Sequence, residues 1–199
     1  MIKREFMLKA LLAAGIIILS GCGTTRSALV IKDSPIKTAD EERISITLRY
    51  LDEETLINKY GKKGNPFLTH YYTLQFKRIM VFEVKVQNSR QEAVELILNR
   101  MELQFGGKAV HPTNRFQLSN FWESRDDLDE TKPTDRRKKE RVIKDHVLPN
   151  SINAGTGGRA EGYAVFMGNL PRYGQASVYI PLFRKKIELI HNFRLRFEF

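Results

Sequence analysis

Apolar and polar residues alternate along much of the chain after residue 43, as expected for strands with one buried face. Near its start this region has apolar side chains at every second position, namely Ile44, Ile46, Leu48 and Tyr50. The end of the chain repeats the pattern with Phe193, Leu195, Phe197 and Phe199. Shorter runs of the same kind lie at 73–86, 160–166 and 176–180. The pattern predicts about six to eight short strands and an all-β, antiparallel β-sandwich.

The alternation changes phase once, between two neighbouring apolar runs. The first run is apolar at the even positions Val94, Leu96 and Leu98, and the second at the odd positions Met101, Leu103 and Phe105. Because side chains alternate strictly along a strand, such a change requires an extra residue near Asn99 and Arg100. We expect either a β-bulge or a corner at which the chain passes between sheets.

Two segments depart from the strand pattern. Asp52 is a suitable N-cap and Gly61 a suitable stop for a short helix between them. Residues 124–145 are almost all polar or charged, which predicts a long solvated loop or a mobile hairpin. The predicted fold is therefore an antiparallel immunoglobulin-like β-sandwich with one short helix and a long charged loop. The Cys…Trp…Cys signature of true immunoglobulin domains is absent, so the likeness is one of architecture.

The beginning of the chain has the features of an export signal. Lys3, Arg4 and Lys9 form a basic start, and an apolar run covers 10–19. A run of this length is too short to span a bilayer, which requires about 20 residues. The basic start, the short apolar run and the small residues that follow are typical of a secretory signal peptide.

The end of this leader, Leu19, Ser20, Gly21 and Cys22, resembles the lipobox of bacterial lipoproteins at every position. The resemblance implies that the Cys22 thiol is linked to diacylglycerol, that cleavage makes Cys22 the first mature residue, and that its amine can receive a further acyl chain. Gly23 stands where an aspartate would favour the inner membrane, so the outer membrane is the expected location if the source is a diderm bacterium. The alternatives are an uncleaved signal anchor and an ordinary signal peptide.

The chain thus divides into a lipoprotein signal peptide at 1–21, a lipidated polar tether at 22–42 and a single β-sandwich domain at 43–199. Cys22 is the only cysteine. The exported domain therefore contains no disulfide, and its apolar core must hold it together.

Within the domain, several motifs resemble a group of uncharacterised bacterial lipoproteins with one immunoglobulin-like domain. The motifs are those at 65–68, 81–88, 121–122 and 158–166. The resemblance implies a fold and a compartment, and it brings no activity with it.

A formal net charge of +10 favours acidic partners. Anionic lipid headgroups, envelope polysaccharides and acidic proteins fit this charge, whereas nucleic acid is not expected for an exported protein. A basic surface that serves only solubility is the alternative. The strongest candidate for binding an anionic partner is the basic block Arg136, Arg137, Lys138, Lys139 and Arg141, which we expect to be a mobile cationic arm.

Aromatic residues supply a second candidate surface. Tyr71, Tyr72, Phe121 and Trp122 could form an exposed platform for a glycan or a protein. Packing in the core is the alternative for most of them.

No catalytic pattern accompanies these surfaces. The four histidines lack metal-ligand spacing, and the glycines at 155–158 lead into a strand and so predict a turn rather than a phosphate loop. We therefore expect a non-enzymatic lipoprotein without a metal or cofactor. Its sandwich is expected to bind another envelope protein or to act in assembly. The alternative is a lipid-anchored module that binds a glycan or an anionic ligand.

Replacing Cys22 tests the lipidation. A serine hydroxyl is a much poorer nucleophile than a cysteine thiolate, so Cys22→Ser should accumulate as unprocessed, unlipidated precursor. Mass spectrometry of the membrane fraction measures this. Normal membrane retention with an unchanged mature mass would refute the assignment.

Overall fold

The computed structural model describes residues 30–68, 78–128, 130–170 and 173–199. The signal peptide and the lipobox residues Leu19, Ser20, Gly21 and Cys22 lie outside these ranges. In chain order the strands are β1 (Ile36–Glu41), β2 (Ile44–Leu51), β3 (Arg78–Asn88), β4 (Val94–Ile97), β5 (Glu102–Phe105), β6 (Lys108–Val110), β7 (Ser151–Ala154), β8 (Arg159–Gly168), β9 (Gln175–Arg184) and β10 (Glu188–Glu198). The helices are α1 (Glu53–Tyr60), α2 (Arg115–Leu128) and α3 (Pro133–His146).

The strands form two antiparallel sheets. The first sheet has the order β1-β2-β3-β8. In the second, β9 pairs with β10 on one side and with β4 and β5 on the other, and β7 and β6 pair with β4 and β5 respectively. The predicted antiparallel sandwich is confirmed, whereas the strand order does not establish the immunoglobulin-like assignment.

The main core lies between the two sheets and contains the residues that the alternation marks as inward. Ile46 and Leu48 from β2 and Leu195 and Phe197 from β10 are almost fully buried in it. Their neighbours Arg194 and Arg196 face solvent. Burying one such side chain contributes about 1.5–3 kcal/mol, so this core stabilises the domain without a disulfide.

The phase change between β4 and β5 is a single 3₁₀ turn, Leu98–Arg100. Both strands pair with β9, so the chain stays within the second sheet and does not pass between sheets. The turn buries Leu98 before it and Met101 after it. An interruption at this point is therefore confirmed, and its form is a turn within one sheet.

The first sheet is buried on both faces over part of its area. Met80, Phe82 and Phe166 point into the main core, whereas Val81 and Val165 point outwards and are also buried. The outward side chains pack against the three helices, whose buried residues form a second apolar cluster with them: Leu56, Tyr60, Leu118, Trp122, Val142 and Ile143. The molecule thus has three layers, namely the second sheet, the first sheet and the helices.

The chain crosses the free edge of β8 twice, once before α2 and once after α3. The Thr113 amide donates to the Val165 carbonyl at 2.6 Å on the way out, and the Leu148 amide donates to the Tyr163 carbonyl at 2.9 Å on the way back. A Cβ at Gly162 would lie 2.6 Å from Leu148 Cδ2 and 3.2 Å from the His146 carbonyl oxygen, so a larger residue would press on the returning chain. The crossings cover an edge that would otherwise present unpaired backbone groups.

The expectation of a long charged loop at 124–145 is wrong. Most of this segment forms the end of α2 and nearly all of α3, so the described residues contain three helices rather than one short helix. The buried positions lie one turn apart, Leu118 and Trp122 on α2 and Lys139 and Ile143 on α3. Such a narrow apolar stripe is easily missed, because tertiary packing rather than helix amphipathicity stabilises these helices.

The segment predicted as a tether at 22–42 is also partly folded. Ile36–Glu41 forms β1 and pairs along its whole length with β2. Just before it, the Lys32 amide donates to the Glu198 carbonyl at 2.8 Å. The folded domain therefore begins before residue 43, near the C-terminal end of β10.

Asn88 holds two loops together at the other end of the sandwich. It is fully buried, and its amide group donates to the carbonyls of Glu92, Ala154 and Gly155 at 2.8, 3.0 and 3.0 Å. Its Oδ1 accepts from the Arg90 amide at 2.9 Å. One side chain thus joins the β3–β4 loop to the β7–β8 loop.

Asn88→Ala should lower the free energy of unfolding by about 2–4 kcal/mol, because it leaves buried backbone groups without partners. Urea unfolding followed by circular dichroism measures the change. Asn153→Ala is the matched control, since Asn153 is exposed on β7 and should change stability by less than about 0.5 kcal/mol. An equal loss in both variants would contradict this role for Asn88.

Candidate binding surface on the helical layer

The basic block lies on α3, where Arg136 and Lys139 bind α2 and the turn that follows it. Arg136 donates to the Asp127 carboxylate at 2.5 Å and to the carbonyls of Asp126 and Thr131 at 2.6 and 3.1 Å. Lys139 is 8% exposed and forms an ion pair with Asp126, which is 3% exposed. Both side chains fasten α3 to α2 or to the turn between them. The expectation that this block is a mobile arm is therefore wrong.

Lys139 also lies over the indole ring of Trp122, with its Nζ 4.1 Å from the ring centroid. The indole Nε1 donates to the Pro66 carbonyl at 2.9 Å, which connects α2 to the segment after α1. A cation over an aromatic face gains additional attraction when it is removed from water. Lys139, Asp126 and Trp122 therefore form the polar centre of the helical layer.

The remaining cations of the block lie on the outside of α3. Arg137 and Arg141 are exposed and form no ion pair within the described ranges. Lys138 donates to the carbonyls of Tyr60 and Lys63 at 2.5 and 3.1 Å. These two bonds place the end of α1 and the following turn directly beside α3.

This contact creates a surface with six cations that we call the basic face: Lys59, Lys62, Lys63, Arg137, Lys138 and Arg141. In the part of the chain that the structure describes, none of the six forms an ion pair with a carboxylate. The sequence indicated Arg137, Lys138 and Arg141 as candidate binding residues because they lie within one short basic run. Lys59, Lys62 and Lys63 were missed because about 75 residues separate them from α3, and only the fold brings them together.

An aromatic cluster of Tyr60, His146 and Tyr163 contacts the basic face through Lys59. Lys59 Nζ donates to the Tyr163 hydroxyl at 2.6 Å, and the Tyr60 hydroxyl donates to it at 3.1 Å. The His146 ring stacks on the Tyr163 ring, with 5.4 Å between centroids. The cluster joins α1, β8 and α3.

The protonation of this cluster favours a structural role. Burial, and then the hydrogen bond to Tyr163, raise the pKa of Tyr60 well above its usual value, so its hydroxyl stays protonated. Burial, and then the charge of Lys59, lower the pKa of His146.

The structure describes two of the four residues predicted for the aromatic platform, and these two differ in exposure. Trp122 is buried, which agrees with the core-packing alternative. Phe121 is half-buried and contacts Trp122 edge-on, with 5.2 Å between ring centroids. Tyr71 and Tyr72 lie outside the described residues. Phe121 is therefore the platform residue that the structure places at the surface.

Side chains that could ligate a metal are dispersed over the structure. Among the residues it describes, no three histidine, cysteine or acidic side chains come together as a metal site. His111, His146 and His191 lie on separate elements, and His70 is outside the described ranges. No helix in the described ranges is long and apolar enough to cross a membrane.

Lys139→Met should destabilise the domain by about 3–5 kcal/mol, because it leaves the Asp126 carboxylate buried without its partner. The double variant Lys139→Met, Asp126→Leu should recover most of this loss. Urea unfolding followed by circular dichroism measures both. Lys144→Met, an exposed position on the same helix, is the control and should stay within about 0.5 kcal/mol of the wild type. Equal stability of the Lys139 and Lys144 variants would show that the buried pair is dispensable.

Comparisons with known proteins place the chain among solved structures only distantly. No protein-family model matches it, and no curated protein does. A structural-genomics target designated SoR45 is similar over 79% of this chain and 88% of its own, with 9% identity and a TM-score of 0.37. A Bacillus subtilis protein, ycdA, provisionally described as a lipoprotein, is similar over 82% of this chain but only 39% of its own, with 11% identity and a TM-score of 0.42. A Bordetella pertussis protein provisionally named ApaA matches over 83% of this chain and 93% of its own, with 12% identity and a TM-score of 0.33.

Proposed function

We propose that this chain is a non-enzymatic lipoprotein, anchored through Cys22 to the outer membrane, whose basic face binds an acidic surface of another envelope protein. The anchor rests on the lipobox pattern Leu19, Ser20, Gly21 and Cys22, and the choice of membrane on Gly23. The diacylglycerol and N-acyl chains on Cys22 together provide a stable attachment, since a single chain binds only reversibly.

One observation carries the binding proposal: six cations lie together on the basic face, and among the described residues none of them forms an ion pair with a carboxylate. Arg136 and Lys139 on the same helix bind Asp127 and Asp126, and Arg184 on β9 binds Glu92 and Glu188. Unpaired charges of one sign that are held close together repel each other, so an acidic partner relieves this cost and is attracted over a longer range.

Charge reversal of the four cations other than Lys59 and Lys138, whose hydrogen bonds connect elements of the fold, tests the proposal. The variant Lys62→Glu, Lys63→Glu, Arg137→Glu, Arg141→Glu should reduce recovery of a stoichiometric partner from crosslinked envelopes at least tenfold. Four surface charges at about 0.5 kcal/mol each already correspond to more than a tenfold change in affinity. Quantitative mass spectrometry of the crosslinked complex measures the loss.

The matched control reverses four exposed cations on the second sheet and its loops, Arg100, Lys108, Lys185 and Arg196, and should leave recovery unchanged. Equal losses in both variants would mean that only net charge matters and would overturn the basic face as the binding surface. Recovery of polysaccharide without any protein would overturn the protein partner.

A further inference from the structure

Two cavities meet on the side of α2 that faces away from α3. They have volumes of about 550 and 540 Å³, and His111, Pro112 and Gln117 line both. Each volume is within the range of about 300–1,000 Å³ that is usual for small-molecule sites. We call the pair the carboxamide groove, because side-chain amides dominate its polar lining.

The first cavity lies between the turn after β4, the segment before β7 and the β9–β10 turn. Its free polar groups are the side chains of Asn99, Asn150, Ser151 and Lys186. None of these four side chains forms a hydrogen bond or ion pair with another described residue. They are therefore available to a ligand without disturbing the fold.

The second cavity lies along α2. Asn120, Phe121 and Met167 line it together with Gln117. The half-buried ring of Phe121 supplies an apolar surface next to the Asn120 amide. Among the residues that the structure describes, no aspartate or glutamate lines either cavity, and Lys186 contributes the one formal side-chain charge of the lining.

Hydrogen bonds fix the wall that the two cavities share. His111 Nδ1 is 2.9 Å from the Met101 carbonyl, which fixes the imidazole ring. Asn114 and Gln117 cap the start of α2 reciprocally, since each side-chain oxygen accepts from the other's backbone amide, at 2.8 and 3.0 Å. Both caps leave the side-chain NH₂ groups free as donors on a rigid wall.

These features match one class of ligand. A carboxamide both donates and accepts hydrogen bonds, which suits hydroxyl and acetamido groups. An aromatic ring packs against the apolar face of a sugar. A single lysine suits one carboxylate or phosphate substituent. We propose that the carboxamide groove binds an acidic oligosaccharide, with one sugar ring against Phe121 in the second cavity and the anionic substituent of another ring towards Lys186 in the first. This site is separate from the basic face and stands independently of the protein partner proposed for it.

Titration of the full-length protein with two defined oligosaccharides tests the groove. The probes are a tetrasaccharide of alternating N-acetylglucosamine and N-acetylmuramic acid, and neutral chitotetraose. We expect saturable binding of the acidic probe by isothermal titration calorimetry, and weaker binding of the neutral one. Asn99→Ala, Asn120→Ala should weaken both at least tenfold. Lys186→Ala should remove the preference for the acidic probe and leave the affinity for chitotetraose unchanged.

The control variants are Asn153→Ala and Lys108→Ala, two exposed positions of the second sheet outside the groove, and both should bind as the wild type does. The charge-reversed basic-face variant should also keep its saccharide affinity, which separates this test from that of the protein partner. Absence of saturable binding to either probe would overturn the proposal. So would binding that the groove variants leave unchanged, or that the basic-face variant abolishes.

Discussion

Burial of the first sheet on both faces is the constraint on which the rest of the structure depends. β3 and β8 present Phe82 and Phe166 to the second sheet and Val81 and Val165 to the helices. A sheet that is apolar on both sides needs a cover on both, and each uncovered side chain would forfeit about 1.5–3 kcal/mol. The helical layer is therefore part of the fold and not an appendage. The same sheet is polar where the helices end, as at the exposed Lys85.

The helical layer is rich in polar side chains although it covers an apolar face of the first sheet. Hydrogen bonds and an ion pair hold it in place as much as apolar burial does. Lys139 bridges Asp126 and the Trp122 ring, and Arg136 binds the carbonyls around the turn between α2 and α3. A buried ion pair contributes little net stability compared with apolar residues of the same size, but breaking it is costly. Such contacts specify how two short helices pack, and they divide the cations of the layer into those that pair with carboxylates and those that do not.

The basic face and the carboxamide groove lie on different sides of this layer. The basic face depends on Lys138, whose bonds to the Tyr60 and Lys63 carbonyls bring two distant stretches of chain together. The groove depends on the crossing segment at His111 and on the capped start of α2. Both surfaces use helices that pack on the first sheet, and the groove also uses turns of the second sheet. The two proposed partners can therefore bind without competing for the same residues.

The sequence alone determined the features that depend on local periodicity and local motifs. Alternation located the strands and their inward faces, because a buried side chain at every second position is a property of the strand itself. The interruption between Leu98 and Met101 followed from the same rule, and α1 followed from its Asp52 cap and Gly61 stop. Tertiary structure decided the rest. α2 and α3 have only narrow buried stripes, so their charged sequence resembles a loop until the first sheet supplies a surface to cover. The basic face and the groove each combine residues from distant elements, and proximity between such residues is a property of the folded chain.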